Sequence, residues 1–259
     1  MLLLEPLDDE QRTWTALARP ARRLRAGEQL LDATGTPRLE VDGRRDEQVV
    51  VRVVGEESVV DVLAGIGEVP LPPYITTPLA DAERYQTVYA DRAGSVAAPT
   101  AGLHLTPELL GRLTAHGIAL ARVELVVGLD TFKPLAVDDP ARHRIHTERY
   151  RVSPDVLATC RRTRAAGGRV VAVGTTSVRA LESAASGRLE GRTDLYIRRP
   201  YDWQLVDVLM TNFHLPRTTL LLLVDAFVGP RWRDLYDVAM AEDYRFLSFG
   251  DAMLLERSR

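Results

Sequence analysis

Hydrophobic and polar positions follow two different periods along the chain, and the change between them occurs near Tyr85. Before it, short β-rich runs at 38–41, 48–54 and 58–63 are separated by glycine turns. Strands of about five residues at such spacing predict a small antiparallel sheet or barrel. The four prolines of PLPPYITTP (70–78) then break the pattern and predict a linker.

The second part of the chain alternates strands with helices. One helix has Thr106 as its N-cap, Pro107 at its first position and Gly117 as its stop, and a second repeats the Ser–Pro start at Ser153. Further helices are expected after GTTS, from RTTLLLLVDAF onward and over about 231–243, and strands at 118–128, 169–174, 193–197 and 205–213. The run 169–174 is nearly continuously apolar, as in a strand that is covered on both faces.

This alternation predicts an α/β layer. We therefore expect two domains, a small β-rich, barrel-like domain over 1–72 and an α/β domain over 76–259. The 259 residues suffice for a real core, and their 46% hydrophobic and 27% charged content is typical of soluble globular proteins.

The composition also bears on where the protein acts and on which chemistry it can use. No apolar run reaches the roughly 18–20 residues of a membrane span, and MLLLEPLDDEQ lacks the basic start and cleavage site of a signal peptide. Cys160 is the single cysteine, which excludes an internal disulfide and favours the cytoplasm; we interpret it as a buried apolar residue rather than a nucleophile. The net charge of −3 gives no global attraction for nucleic acid, although arginine clusters such as 161–164 leave room for a local basic patch.

The stretch AVGTTSVRALES (172–183) places a glycine and three hydroxyls where a strand leads into a helix. Free backbone N–H groups gather at such a junction, which suits a carboxylate or phosphate. The alternative is that Thr175 or Ser177 simply caps the helix. Both interpretations remain open, since a cap and an anion site can share one helix end.

Histidines are scarce, so their surroundings are informative. His104 precedes a capped helix in a loop of small residues, His214 follows a predicted strand, and His146 lies beside Glu148. A loop histidine can transfer protons because its unperturbed pKa is about 6.5, but each of these can equally be a hydrogen-bonded structural residue. HRIH (143–146) hints at metal spacing, yet no supporting set of ligands accompanies it, and no metal site is expected.

The sequence contains no Walker A motif, no GxGxxG and no GxSxG. The common ATPase, dinucleotide-binding and α/β-hydrolase functions are therefore not indicated. From the residues alone, the reaction stays open.

Five blocks, taken in order, resemble one family: SVAAPTAGLHLTPELL (95–110), RIHTERYRVS (144–153), RVVAVGTTSVRALES (169–183), VDVLMTNFHLPRTTLLLLVDAFVG (206–229) and YRFLSFGDAMLL (244–255). The chain resembles the S-adenosylmethionine:tRNA ribosyltransferase-isomerases of queuosine biosynthesis. This resemblance implies that the α/β domain is catalytic. It also implies that the ribosyl group of S-adenosylmethionine is transferred to 7-aminomethyl-7-deazaguanine at the tRNA wobble position and isomerised, giving epoxyqueuosine, adenine and methionine.

The chemistry that the resemblance implies needs a base for the proton beside the sulfonium and assistance to the departing adenine. His104 and His214 are then the acid–base candidates, with Arg179 as a further catalytic residue that acts, like Asn212, as an orienting donor. The co-substrate would be bound by Thr100, Gly102, Gly174, Thr175, Thr176, Ser177 and Asn212. We therefore expect S-adenosylmethionine as the co-substrate and tRNA as the partner. We expect the protein to act as a monomer in the cytoplasm and to need no metal.

Some stretches depart from the family pattern. MLLLEPL aligns inside the family's β-rich insert, so the chain is expected to be a fragment or a divergent paralogue. The family's LHVGLGTF is LVVGLDTF here, with Val126 in place of histidine and Asp130 in place of glycine. We expect the Asp130 carboxylate to repel tRNA phosphates or a substrate carboxylate.

Two other function classes stay open beside the enzyme. One is a catalytically silent paralogue that still binds S-adenosylmethionine or tRNA. The other is a transferase that uses S-adenosylmethionine on a small molecule, which the negative net charge and the altered loop at Asp130 favour.

Overall fold

The computed structural model describes residues 1–46, 48–72, 74–77, 79–92, 95, 97–127, 139–143, 145 and 147–257. The chain divides into two compact units, Met1–Ala80 and Asp81–Arg259. None of the helices in the described ranges has the length and apolar character needed to cross a membrane.

The first unit is an antiparallel sheet followed by one helix. Its elements are β1 (Leu2–Pro6), β2 (Thr13–Leu17), β3 (Gln29–Leu31), β4 (Pro37–Arg45), β5 (Gln48–Val53) and α1 (Val59–Ile66). The strand order is β1-β2-β5-β4-β3, so β1 and β3 lie at opposite ends of the sheet. The expected antiparallel sheet is present, with β4 and β5 covering two of the predicted runs, whereas closure into a barrel is not confirmed.

The predicted strand at 58–63 is wrong, because α1 occupies this segment. Its apolar residues recur with helical period, which brings the buried Val59 and Val62 onto one face and leaves Val60 exposed. Asp61 lies in the first turn, where a carboxylate interacts favourably with the helix dipole. Strand alternation would instead have placed Asp61 on the face of Val59.

The second unit mixes two small sheets with helices. Its strands are β6 (Glu124–Val126), β7 (Glu148–Arg151), β8 (Val171–Val173), β9 (Glu190–Thr193), β10 (Val208–Asn212) and β11 (Ala252–Glu256). Its α-helices are α2 (Pro107–Ala115), α3 (Pro154–Ala165), α4 (Thr175–Ala184), α5 (Thr219–Val228) and α6 (Trp232–Ala241). One sheet has the order β11-β10-β8, and the other is β6-β7-β9.

Local signals in the sequence explain two of these helices. The hydroxyls of Thr106 and Ser153 accept hydrogen bonds from the amides of Leu109 and Val156, and each cap is followed by proline. Both predicted helix starts are therefore confirmed.

Three strand predictions need correction. The strand predicted at 118–128 is reduced, within the described residues, to β6, because its first part is exposed, with Ile118 at 48% and Leu120 at 50%. The strand predicted at 193–197 lies earlier, as β9, because the Thr193 hydroxyl accepts a hydrogen bond from the Leu195 amide and so turns the chain out of the ladder. The strand predicted at 169–174 is shortened to β8 and lies at a sheet edge, where Val171 is 49% exposed. It is not covered on both faces.

The core of the second unit surrounds β10 and α4. Leu209 is fully buried on β10, and Val178, Ala180 and Ala184 are fully buried on α4. The buried carboxylate of Glu182 then fixes the approach to β10, because it accepts hydrogen bonds from the amides of residues 204, 205 and 206 at 2.9–3.0 Å. The position at which β10 begins is thus set by a hydrogen-bonded anchor.

Candidate functional site

The parallel strands β8 and β10 end side by side, and the candidate residues collect at these ends. Gly174 follows β8 and donates its N–H to the carbonyl of Met210 at 2.8 Å. Its φ of +89° suits glycine, and α4 starts at the next residue. A Cβ built at Gly174 would lie 3.7 Å from the Cβ of Ala101, so the 3₁₀ turn Thr100–His104 packs against this junction.

Asn212, the last residue of β10, connects the candidates. Its Nδ2 lies 3.1 Å from Nε2 of His104 and donates to the carbonyl of Asp251 at 3.4 Å. Its Oδ1 accepts a hydrogen bond from the Thr100 hydroxyl at 3.3 Å. Asn212 is only 3% exposed, whereas His104 is half-buried. Three sequence-predicted site residues therefore form one hydrogen-bonded cluster, Thr100–His104–Asn212, which we call the amide cluster.

His214 lies two residues beyond β10 and has its own partners. Its Nε2 is 2.9 Å from the hydroxyl of the buried Thr211, and its backbone N–H donates to the Tyr236 hydroxyl at 2.8 Å. Burial lowers the pKa of His214 to about 4. The imidazole is therefore uncharged at neutral pH and has no proton to give as an imidazolium.

Arg179 is buried inside the second unit rather than exposed at the helix start. Its guanidinium pairs through Nη1 with the buried carboxylate of Glu148 and donates through Nε to the carbonyl of Leu195 at 3.1 Å. Burial lowers the pKa of Arg179 to about 10, against the opposing charge of Asp194, so the group stays charged at neutral pH. Among the described residues its Nη2 has no hydrogen-bond partner.

The first turn of α4 combines free amides with a small pocket. Gly174 occupies the N-cap without a side-chain cap bond, and Ser177 donates its hydroxyl to the carbonyl of Val173 at 2.7 Å. The expectation that Thr175 or Ser177 caps the helix is therefore wrong: both belong to the first turn. Within the described ranges, no group accepts from the amides of residues 175–177. The pocket beside them is lined by Ile145, Thr175, Thr176, Arg179, Leu195, Tyr196, Ile197, Thr219, Leu220 and Leu223.

Gly102 has a packing reason for being glycine. A Cβ at this position would lie 1.9 Å from the Tyr89 hydroxyl oxygen and 2.9 Å from Cγ2 of Thr87. The space beside the backbone is thus filled by the protein's own side chains. This packing accounts for the glycine, which the resemblance places among the co-substrate-binding residues.

Several contributing residues were missed from the sequence. Glu148, Thr211, Tyr236 and Asp251 all contact candidates, yet only Glu148 had a signal, as a carboxylate beside His146. His146 and Asp130 themselves lie outside the described residues. In the part of the chain that is described, no group of three or more His, Cys, Asp or Glu side chains is arranged to hold a metal ion.

Comparison with known proteins shows which family this chain is similar to. A family described as "Queuosine biosynthesis protein" matches residues 1–255. An S-adenosylmethionine:tRNA ribosyltransferase-isomerase from Acaryochloris marina is 48% identical over 98% of this chain and 72% of its own length. A protein of the same name from Desulfitobacterium hafniense is 46% identical over 98% of this chain and 76% of its own.

A solved structure is similar as well. The crystal structure of an S-adenosylmethionine tRNA ribosyltransferase from Thermotoga maritima matches with a TM-score of 0.51 and 33% identity. The match covers 97% of this chain and 72% of that one. The sequence comparisons and the structure comparison therefore point to the same family of proteins.

Proposed function

The chain belongs to the queuosine biosynthesis protein family, and on that premise we propose that it is an S-adenosylmethionine-dependent tRNA ribosyltransferase-isomerase. It transfers the ribosyl group of S-adenosylmethionine to 7-aminomethyl-7-deazaguanine in tRNA and isomerises it to epoxyqueuosine. Adenine and methionine leave. The observation that carries this proposal is the 48% identity to an enzyme of that name over nearly the whole chain.

Of the two candidate histidines, we assign the acid–base role to His104 rather than to His214. His104 is half-buried at the end of a turn, and its ring is held by Asn212. The low pKa of His214, about 4, makes it a weak base, and its Nε2 already contacts Thr211. Arg179 is assigned a positioning role: its ion pair with Glu148 holds α4 in place. It is not assigned a proton transfer.

The co-substrate is proposed to bind where β8 and β10 end. Its contacts would come from Thr100, Gly102, Gly174, Thr175, Thr176, Ser177 and Asn212. An anionic group, either the methionine carboxylate or a tRNA phosphate, suits the unpaired amides at the start of α4, because the positive end of the helix dipole lies there. The reaction that we propose requires no metal.

We further propose that the catalytic domain spans 76–259 and that the β-rich domain over 1–72 has a barrel-like form. The tRNA substrate favours action in the cytoplasm. We expect the protein to act as a monomer.

Adenine release tests the proposed function. The folded protein is incubated with S-adenosylmethionine alone, with precursor tRNA that carries the aminomethyl base, and with the free base. Release only with precursor tRNA supports the proposal. Release with the free base alone would indicate a small-molecule transferase, and binding of S-adenosylmethionine without release under any condition would indicate the silent paralogue.

A further inference from the structure

We propose that Asn212 is a positioning residue that fixes His104 as the neutral tautomer protonated at Nδ1. His104 then presents an Nδ1–H donor, while the lone pair of its Nε2 is occupied. The part that concerns the reaction rests on the proposed function. The part that concerns the tautomer rests on the amide cluster alone.

The backbone carbonyl of Asp251 decides the orientation of the Asn212 amide. A carbonyl oxygen can only accept, so the amide atom 3.4 Å from it must be the NH₂ group. The hydroxyl of Thr100 can donate or accept and therefore fits this orientation by donating to Oδ1. A flipped amide would point its oxygen at the Asp251 carbonyl with no hydrogen between the two atoms.

The orientation of the amide fixes the tautomer of His104. The same NH₂ group lies 3.1 Å from Nε2, and an NH₂ group can only donate. Nε2 must therefore accept, which leaves the ring proton on Nδ1. Protonation of Nε2 would place two N–H groups against each other in a position where Asn212 is 97% buried, and an unmade hydrogen bond there is costly.

One charged group also interacts with His104. This group is the Asp251 carboxylate, which already accepts a hydrogen bond from the backbone amide of Arg245 at 2.7 Å and is partly exposed. The direct contact between Nδ2 of Asn212 and Nε2 of His104, at 3.1 Å, therefore sets the proton position.

The tautomer changes the role that His104 can have in the reaction. With Nε2 occupied, it cannot take the proton beside the sulfonium through that atom. Its Nδ1–H can instead donate a hydrogen bond to an acceptor atom of the adenosyl group as the bond between sugar and adenine breaks. Since adenine leaves with the electron pair of that bond, a donor placed there stabilises the developing negative charge.

Ring-nitrogen NMR of the ¹⁵N-labelled protein tests the tautomer without substrate. We expect His104 to show a protonated Nδ1 and an unprotonated Nε2 above pH 7.5, with its signals assigned by their loss in His104→Gln. His116 is an internal reference for the same state, because its Nδ1 lies 2.8 Å from the Arg112 carbonyl. A wild-type spectrum with the proton on Nε2 of His104 would overturn the proposal.

Two variants test whether Asn212 is the cause. In Asn212→Asp the side chain can only accept, so Nε2 should become protonated, and adenine release should fall about 100-fold. Thr100→Val is the matched control: it removes the hydroxyl but keeps the contacts of Nδ2, and the His104 tautomer should not change. An unchanged His104 spectrum in folded Asn212→Asp would contradict the positioning role. If the tautomer is as expected but no tRNA supports adenine release, the proposed function fails and the positioning stands.

Discussion

The amide cluster and the Arg179–Glu148 pair both gather polar groups near α4, but they are held by different forces. The amide cluster is held by hydrogen bonds that join side chains from two separate segments, the turn Thr100–His104 and the end of β10. The pair is ionic and almost completely buried, with side-chain exposures of 6% and 3%. The half-buried His104 of the amide cluster can meet a substrate, whereas a buried ion pair is costly to disturb. Chemistry is therefore expected in the amide cluster, and stability is expected to depend on the pair.

The largest effect should come from breaking the pair. Glu148→Gln leaves the buried guanidinium of Arg179 without its ion-pair partner, and we expect a loss of roughly 3–5 kcal/mol in the free energy of unfolding. Adding Arg179→Met should recover much of that loss. Chemical denaturation measures both.

The exposed pair between Arg169 and Glu256, at 2.6 Å, is the matched control for this prediction. Glu256→Gln should cost about 0–1 kcal/mol, because solvent screens exposed charges. A similarly small loss for Glu148→Gln would show that the buried pair contributes no more to the free energy of unfolding than an exposed pair does.

The next effect concerns catalysis in the amide cluster. We expect His104→Ala to lower tRNA-dependent adenine release by roughly 100-fold or more, as for the loss of a positioned proton-handling group. Its free energy of unfolding should change little compared with Glu148→Gln. His116→Ala, which removes an exposed histidine after α2, should leave the rate unchanged. Equal rates for His104→Ala and the wild type would remove His104 from the mechanism.

A smaller effect should appear in the pH dependence of stability. The folded pKa of His214, about 4, lies below its unfolded value of about 6.5, so the unfolded state binds more protons between these values. Stability should therefore fall as the pH decreases through this range. From pH 7 to pH 5 the contribution of His214 is roughly 1–2 kcal/mol. His214→Gln should flatten the denaturation profile by that amount; an unchanged slope would indicate that His214 is not buried in its neutral form.

The smallest effect is expected at Asp130, which lies outside the described residues. Asp130→Gly should leave stability nearly unchanged, since aspartate tolerates positive φ better than most residues. It should strengthen binding of precursor tRNA at low salt by up to about fivefold, since two unit charges 4 Å apart in water interact by about 1 kcal/mol. Asp130→Asn removes the charge without introducing the backbone freedom of glycine. It should strengthen tRNA binding to a similar extent. Equal affinities for all three proteins would mean that the side chain points to solvent.

Local signals in the sequence predicted local structure well. Thr106 and Ser153 cap their helices because capping depends on a few neighbouring residues. By contrast, the sequence does not reveal β2, since this strand pairs with β5, which lies much further along the chain. The segment 58–63 favours a strand by its valine content, whereas the spacing of the valines fits the helix that forms there.

The candidate site was predictable by residue type but not by contact. His104 and Asn212 stand 108 positions apart, and Arg179 and Glu148 stand 31 apart. Only the folded chain brings the members of each pair into contact. The sequence likewise could not show that Arg179 is buried, because an arginine in the first turns of a helix is usually exposed.

The central claim is that this chain builds a modified base on tRNA with the ribosyl carbons of S-adenosylmethionine. Mass spectrometry of nucleosides from precursor tRNA, incubated with the protein and with S-adenosylmethionine labelled in its ribose, tests it directly. The account predicts that the labelled carbons appear in the wobble nucleoside as epoxyqueuosine, and that His104→Ala strongly reduces them. An unlabelled wobble nucleoside, with folded protein that binds both substrates, would contradict it.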